Sequence, residues 1–252
     1  MPMRSPQQTV HSRTFLGRRS ALFPLEGYPP SRLPGWLGAE AFVLASPALG
    51  AGFVQILVDL PAGQRGGWAA DDQLQTFYYL LDGAAQLETQ STPRDLTPGS
   101  FGLVPAAAAV TFSTHPGCRL LLLRKRYEPS ADHPESRGHH GHESQVPRET
   151  WADNPASKLQ TLIPDDPAFD LAVNIFTFEP GCGLPIVETH VMEHGLYYLQ
   201  GRGLYYLEDR WIEVEADDFI YMGPYCPQSF IATGPTPSRY LYYKNVNREI
   251  MI

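Results

Sequence analysis

Two stretches of this chain recur at a single spacing. Phe77-Tyr78-Tyr79-Leu80-Leu81-Asp82-Gly83 is answered by Gly195-Leu196-Tyr197-Tyr198-Leu199-Gln200-Gly201, and Leu96-Thr97-Pro98-Gly99-Ser100-Phe101 by Val214-Glu215-Ala216-Asp217-Asp218-Phe219. From Gly83 to Gly201 and from Phe101 to Phe219 is 118 positions in each case, with no gap opening between the two matches. A tandem duplication follows, so the fold of one half is the fold of the other.

Each copy reads as short apolar runs separated by turn residues, with 24 Pro and 22 Gly scattered along the chain rather than clustered. There is little helical periodicity, so an all-β protein of two sandwiches or barrels is expected. In the second copy the strands are expected near 171–179, 186–199, 203–207, 210–214, 219–222, 228–233 and 239–245. Gly201-Arg202-Gly203 supplies the positive φ of a tight hairpin. Tyr205, Tyr206, Trp211, Phe219, Tyr221 and Phe230 are of the type that fills a sheet interior. The expected division is a first barrel over 1–128, a linker over 129–155 and a second barrel over 156–252. Residues 1–25 read either as a tail or as a first edge strand. The linker carries His133, His139, His140 and His142, with His115 just outside it. A solvated surface tract is expected there rather than a metal site, because nothing rigid fixes those side chains.

Composition narrows the function classes. A formal charge of −8 argues against nucleic-acid binding, which normally needs a basic excess. No apolar run approaches the ~20 residues that span a bilayer, and the early Arg residues precede no apolar leader core. Cys118, Cys182 and Cys226 are odd in number and match neither a disulfide framework nor a zinc knuckle, so reduced thiols in a cytoplasmic, soluble protein are expected. Cys182 and Cys226 read as packing residues.

The chemistry concentrates in one segment of the second copy. Glu188, His190, Met192 and His194 share parity along the strand expected over 186–199, which would turn them to one face. A carboxylate and two imidazoles inside a barrel are costly unless compensated, and a divalent cation (Mn, Fe, Zn, Co or Ni) compensates them directly. The competing reading puts them on a solvent-facing edge. On the last strand Tyr240, Tyr242 and Lys244 also share parity. An inward lysine needs an anionic partner, which a substrate carboxylate would supply; beside a metal it would instead serve as a proton carrier. Away from such a setting, Lys244 reads as a snorkelling surface residue and Tyr205 as core packing.

The stretch from Gly183 to Gly201, followed by Asp217-Asp218-Phe219-Ile220-Tyr221-Met222-Gly223-Pro224 and on to Gln228, resembles the two motifs of the cupin superfamily. It departs from the usual His-x-His-x₃-Glu followed by a later His. Glu188 stands where the first His would be, His194 where the Glu would be, and Gln228 where the last His would be. With that swapped set the chain resembles the (S)-ureidoglycine aminohydrolase family of bicupins, from about residue 20 to Tyr242-Tyr243-Lys244, including Leu44-Ala45-Ser46-Pro47 and Gly50-Ala51-Gly52-Phe53-Val54. The resemblance implies one metal per chain, usually manganese, held by Glu188, His190, His194 and Gln228. It implies hydrolysis of (S)-ureidoglycine to (S)-ureidoglycolate and ammonia in purine breakdown, with Glu188 and Lys244 catalytic. Met192, Tyr205 and Tyr240 would line the substrate pocket with Glu188, Gln228 and Lys244. One repeat earlier stand Ala70, Asp72, Thr76 and Val110, so the first barrel lacks the ligand set. Another metal-dependent cupin enzyme (a dioxygenase or isomerase) and a non-catalytic small-molecule-binding bicupin remain alternatives at this point. A homo-oligomer is expected, since relatives form dimers and rings and the tail Ile250-Met251-Ile252 is apolar.

Overall fold

A computed structural model describes residues 13–90 and 92–245, and it is built almost wholly of antiparallel strands. Among the described residues the remaining regular elements are short 3₁₀ turns, and no helix is long and apolar enough to cross a membrane. The apolar tail at 250–252 lies outside the described residues.

The duplication is visible strand for strand. Phe53–Leu60 and Leu171–Phe178 differ in number by 118 at both ends. Val110–Ser113 and Gln228–Ala232 start 118 positions apart, and Ser100–Val104 and Phe219–Met222 end 118 apart. Even the hairpin glycines agree. Gly83 and Gly201 have φ of +80° and +83°, and a Cβ on either would strike the backbone of the opposite strand. Only glycine fits there.

The chain divides into two compact units, each a larger sheet packed on a smaller one. One comprises Pro30–Val146 with Ile163–Asp170, called here the N-barrel. Its larger sheet runs in the order His139–His142, Ser100–Val104, Leu74–Gly83, Cys118–Arg126, Phe53–Leu60, Glu40–Ala45. Its core gathers Tyr78, Leu87, Phe112, Leu120 and Leu122 between the sheets. The other unit, the C-barrel, comprises the residues up to Pro29, Pro147–Leu162 and the chain from Leu171 onward. Its larger sheet runs Phe15–Leu16, Ser20–Phe23, Phe219–Met222, His194–Gln200, Ser238–Asn245, Leu171–Phe178, Asn154–Thr161, Glu149–Trp151. Arg202–Leu207 lies between Arg210–Glu215 and Gln228–Ala232 in the smaller sheet.

Three expectations are corrected here. The division at 128 and 155 is drawn differently, because the leading strand of each repeat is built into the unit formed mostly by the other. Ser20–Phe23 pairs with Phe219–Met222 in the C-barrel, while His139–His142 pairs with Ser100–Val104 in the N-barrel. The histidine tract is therefore part of a sheet rather than a solvated linker. His140 Nδ1 lies 3.0 Å from the Tyr78 hydroxyl, and burial holds its imidazole down at about 4. The described part of residues 1–25 is an edge strand pair rather than a tail. Second, the strand expected over 186–199 begins only at His194. Third, Trp211 is half exposed and rests on Tyr206 at 5.3 Å, because both project from the outer face while Tyr205 projects inward.

The N-terminal segment is tied into the C-barrel electrostatically as well. Arg13 makes a forked ion pair with Asp218, whose side chain is 1% exposed, and reaches Glu215 at 2.9 Å. Burial raises the Asp218 carboxyl to about 6 against the opposing pull of Arg13. Replacing Arg13 by Ala strands a buried carboxylate, so a loss of about 3 kcal/mol is expected near pH 7.5. Without the pull of Arg13 that carboxyl takes up its proton at a pH above about 6, so the gap between variant and wild type should narrow as pH falls toward 6 and be smallest below it. Urea denaturation at several pH values measures both effects.

Candidate active site

The site lies in the C-barrel, in a cavity of about 520 Å³. All eight sequence-derived site residues line it: Glu188, His190, Met192, His194, Tyr205, Gln228, Tyr240 and Lys244. They arrive from three directions. His194 opens the strand His194–Gln200 and faces Lys244 across the adjoining strand. Tyr240 and Lys244 pair with Phe176 and Ala172, so they share the inner face of the larger sheet as their parity requires. Gln228 and Tyr205 come from the smaller sheet.

Parity does not explain how Glu188 and His190 reach the same place. In an extended strand, His190 and His194 would stand about 13 Å apart. Their Nε2 atoms are instead 3.2 Å apart, because residues 184–193 form an irregular loop. Pro185 withholds an N–H from any ladder at this point. The loop is anchored at Glu188 by a bridge, in which Glu188 N donates to Gln228 O (2.8 Å) and Gln228 N to Glu188 O (2.9 Å).

The donor atoms have a defined protonation pattern. The Tyr243 carbonyl can only accept, so His194 Nδ1 donates to it at 3.0 Å and Nε2 is left with its lone pair directed inward. Burial presses the His194 imidazole down to about 3, and burial also lowers that of His190, so both are neutral. The Gln228 amide terminus lies 3.0 Å from His190 Nε2, and a half-turn of that amide exchanges its nitrogen for its oxygen. Two neutral imidazoles and the Gln228 amide thus meet at one point. Glu188 shares the cavity wall; burial raises its carboxyl and Lys244 opposes that rise. Among the described residues no three His, Cys, Asp or Glu side chains cluster closely enough to hold an ion unaided. A cation at this point would need the Gln228 amide beside the two imidazoles, and neutral nitrogen with hard oxygen suits a first-row divalent cation.

Residues missed by sequence reasoning complete the walls. Tyr242 stands edge-on to the His194 ring at 5.6 Å and accepts a hydrogen bond from Asn174 Nδ2 at 3.1 Å. Its shared parity with Tyr240 and Lys244 was the available signal. Trp151 lines the cavity from a segment that composition assigns to a linker, and no sequence pattern marked it.

The N-barrel shows what the same framework looks like without a site. Trp36 stacks on Phe112 at 5.9 Å, meets Trp68 edge-on at 5.0 Å, and presses so close to Gly66 that a Cβ there would collide with it. The interior is filled. One repeat on from Trp36, in the unit that holds the cavity, stands Asn154.

A two-barrel fold with an open, His- and Gln-lined cavity in its second half is that of a bicupin, and residues 174–243 match the cupin domain. The chain is 32% identical to the (S)-ureidoglycine aminohydrolase of Arabidopsis thaliana over 94% of its own length and 79% of that protein's. It is 30% identical to the enzyme of that name from Escherichia coli (strain K12), covering 92% and 90% of the two chains. The crystal structure of protein Ylba from E. coli superposes with a TM-score of 0.86 at 28% identity, covering 99% and 100%. The chain belongs to the (S)-ureidoglycine aminohydrolase family.

If the converging lone pairs form a cation site, manganese(II) will raise the thermal midpoint of the wild type and a chelator will reverse the gain. His190→Ala should abolish most of the shift, since loss of one of few ligands costs an order of magnitude or more in affinity. Differential scanning calorimetry with and without metal measures this directly.

Proposed function

We propose that this chain hydrolyses (S)-ureidoglycine to (S)-ureidoglycolate and ammonia. The observation that carries the reading is the inward convergence of His190, His194 and Gln228 beside Glu188 and Lys244 on one cavity wall. Membership of the (S)-ureidoglycine aminohydrolase family supports the substrate.

In this reading Glu188, His190, His194 and Gln228 hold a divalent cation, manganese by preference, which when bound supplies Lewis-acid charge for the substrate's polar end. Lys244, across the sheet from His194, orients the substrate carboxylate or carries a proton. As proton carrier its Nζ gives one proton to the departing amine, so the C–N bond breaks with its electron pair leaving as ammonia. The electron-poor carbon left behind is attacked by water, and the water's proton returns to Lys244 Nζ. Burial raises the phenols of Tyr205 and Tyr240, so both stay protonated at neutral pH and act as hydrogen-bond donors to substrate oxygen. Met192 and the aromatic walls keep bulk water from the reacting carbon. Because the ligands and Lys244 are fixed, water approaches one face and a single enantiomer results.

The three cysteines are free, with Cys118 and Cys226 buried, which supports a reducing compartment such as the cytoplasm. Assembly into a homo-oligomer fits the exposed Leu16 and Leu37 side chains.

The test is ammonia release from (S)-ureidoglycine generated in situ from allantoate, with the product resolved by chirality. Wild type should exceed the spontaneous rate and give only (S)-ureidoglycolate, and Glu188→Ala should not. Lys244→Met with metal retained should lose about 100-fold or more in kcat/KM. Near-normal turnover in Lys244→Met would remove that residue from the mechanism. The absence of any acceleration by metal-loaded wild type would overturn the assignment.

A further inference from the structure

The cavity is larger than its proposed substrate needs. A volume of about 520 Å³ belongs to the range that takes drug-sized ligands, whereas a ureido-substituted glycine is small and polar throughout. The two ends of the cavity also differ in chemistry. Around Lys244 and the His190–His194–Gln228 cluster the groups are polar. Four residues farther along Leu171–Phe178, from Ala172 opposite Lys244 to Phe176 opposite Tyr240, the wall turns apolar. Along the backbone that step is about 13 Å, and the Tyr242 ring spans it, 5.5 Å from Phe176 and 5.6 Å from the His194 imidazole. There Trp151 meets Phe176 edge-on at 5.3 Å, with Leu184 and Ile186 also on the cavity wall. Ile186 is 63% exposed at the rim, so this end opens to solvent with an apolar lip.

The backbone at this end is held in a conformation that the sequence does not favour. Trp151 pairs with Asn154 across a two-residue turn in which Ala152 and Asp153 have φ of +50° and +57°. Turns of that kind strongly prefer Asn-Gly, and an alanine in the left-handed region is disfavoured. The turn persists within packing that also seats Trp151 against the buried cluster of Phe176, Tyr205 and Tyr240. In the N-barrel the Trp36 ring packs on Phe112; in the C-barrel Asn154 stands at that repeat position, and the cavity wall carries Trp151 from the same hairpin.

We propose that Trp151, Phe176, Leu184 and Ile186 form an apolar subsite, distinct from the polar end, that takes an alkyl or aryl group carried on the far nitrogen of a ureido ligand. The proposal rests on the functional reading above only in placing the ureido acid at the Lys244 end. The ligand class is therefore an N′-substituted ureido acid, with its carboxylate toward Lys244 and its apolar group against the indole.

Binding tests this without turnover. The probes are N-carbamoylglycine, which lacks the reactive amine, and its N′-benzyl derivative, each titrated calorimetrically into manganese-loaded protein. The benzyl compound should bind at least about tenfold more tightly than the parent, as expected for burying one aromatic ring. In Trp151→Ala that advantage should shrink to less than about threefold while the parent's affinity holds. Trp151→Phe should keep most of it. The ratio between two probes on the same variant is insensitive to a general loss of stability, and Ile186→Ala at the exposed rim gives a second variant in which the ratio should fall. A benzyl derivative that binds wild type no better than the parent overturns the subsite, as does a ratio unchanged in both alanine variants. Failure of ammonia release with the ratio as expected would overturn the functional reading and leave the subsite standing.

Discussion

The reciprocal backbone hydrogen bonds between Glu188 and Gln228 are the contact on which the rest of the site depends. With Leu184 N donating to Phe230 O, they attach the loop 184–193 to the smaller sheet of the C-barrel, and of these contacts only the Glu188–Gln228 pair lies between the two halves of the donor set. His194 is held independently, by its strand and by the Tyr243 carbonyl. Gln228 is held by its own strand against Leu207. Glu188 and His190 have no strand to hold them, and without the bridge the loop would have no reason to bring His190 Nε2 to 3.2 Å from His194 Nε2. The His190 carbonyl also accepts from Tyr225 N at 2.7 Å, where Tyr225 adopts φ +58°. A residue of this bulk in the left-handed region is uncommon, and its occurrence beside a site residue is where strain is expected to be stored.

This explains how much of the molecule was legible in its sequence. The duplication, the strand positions in the second copy and the inward parity of Tyr240, Tyr242 and Lys244 follow from period-two patterning. Where a residue sits on a regular strand, that patterning determines which way it points. It fails for Glu188 and His190, since alternation along 186–193 describes a strand that Pro185 and the bridge to Gln228 do not permit. The parity that would group Glu188, His190 and Met192 with His194 holds only from His194 onward, and it is the loop that brings them to one cavity. The histidines at 139–142 were misplaced for a complementary reason. A short polar edge strand buries little apolar surface, so composition alone makes it look like solvated chain. Its partner, Ser100–Val104, belongs to the other repeat and is visible only in three dimensions. Trp211 was assigned inward by residue type, although its neighbour Tyr206 has the same outward parity.

The exchange of leading strands gives the duplication a consequence beyond symmetry. Ser20–Phe23 completes the C-barrel sheet beside Phe219–Met222, the strand whose Met222 pairs with His194. The Glu208 carboxylate accepts from Arg19 N and the Ser20 hydroxyl, both at 2.7 Å, and Arg13 caps the buried Asp218. The support behind one wall of the site is thus recruited from the opposite end of the sequence. Neither repeat, cut out as a contiguous piece, would contain a complete barrel.

Duplication also allowed the two barrels to specialise by single side chains. An indole at position 36 fills the N-barrel and requires glycine at 66 to make room for it. Asparagine stands at the matching position 154 of the C-barrel, which holds the cavity, and the polar donors there are absent from the first copy, where Ala70, Asp72, Thr76 and Val110 stand. A filled core gains dispersion and apolar burial, while an open cavity forgoes both. The N-barrel, with Trp36 packed between Trp68 and Phe112, keeps that stabilisation. The C-barrel gives it up and depends instead on aromatic contacts around Phe176, Tyr205, Phe230 and Tyr240, whose rings meet at 5.4 to 6.0 Å and build a rigid floor beneath the donor set. Rigidity in that floor is what lets neutral imidazoles, an amide and a lysine be held in fixed relation inside a cavity that would otherwise collapse.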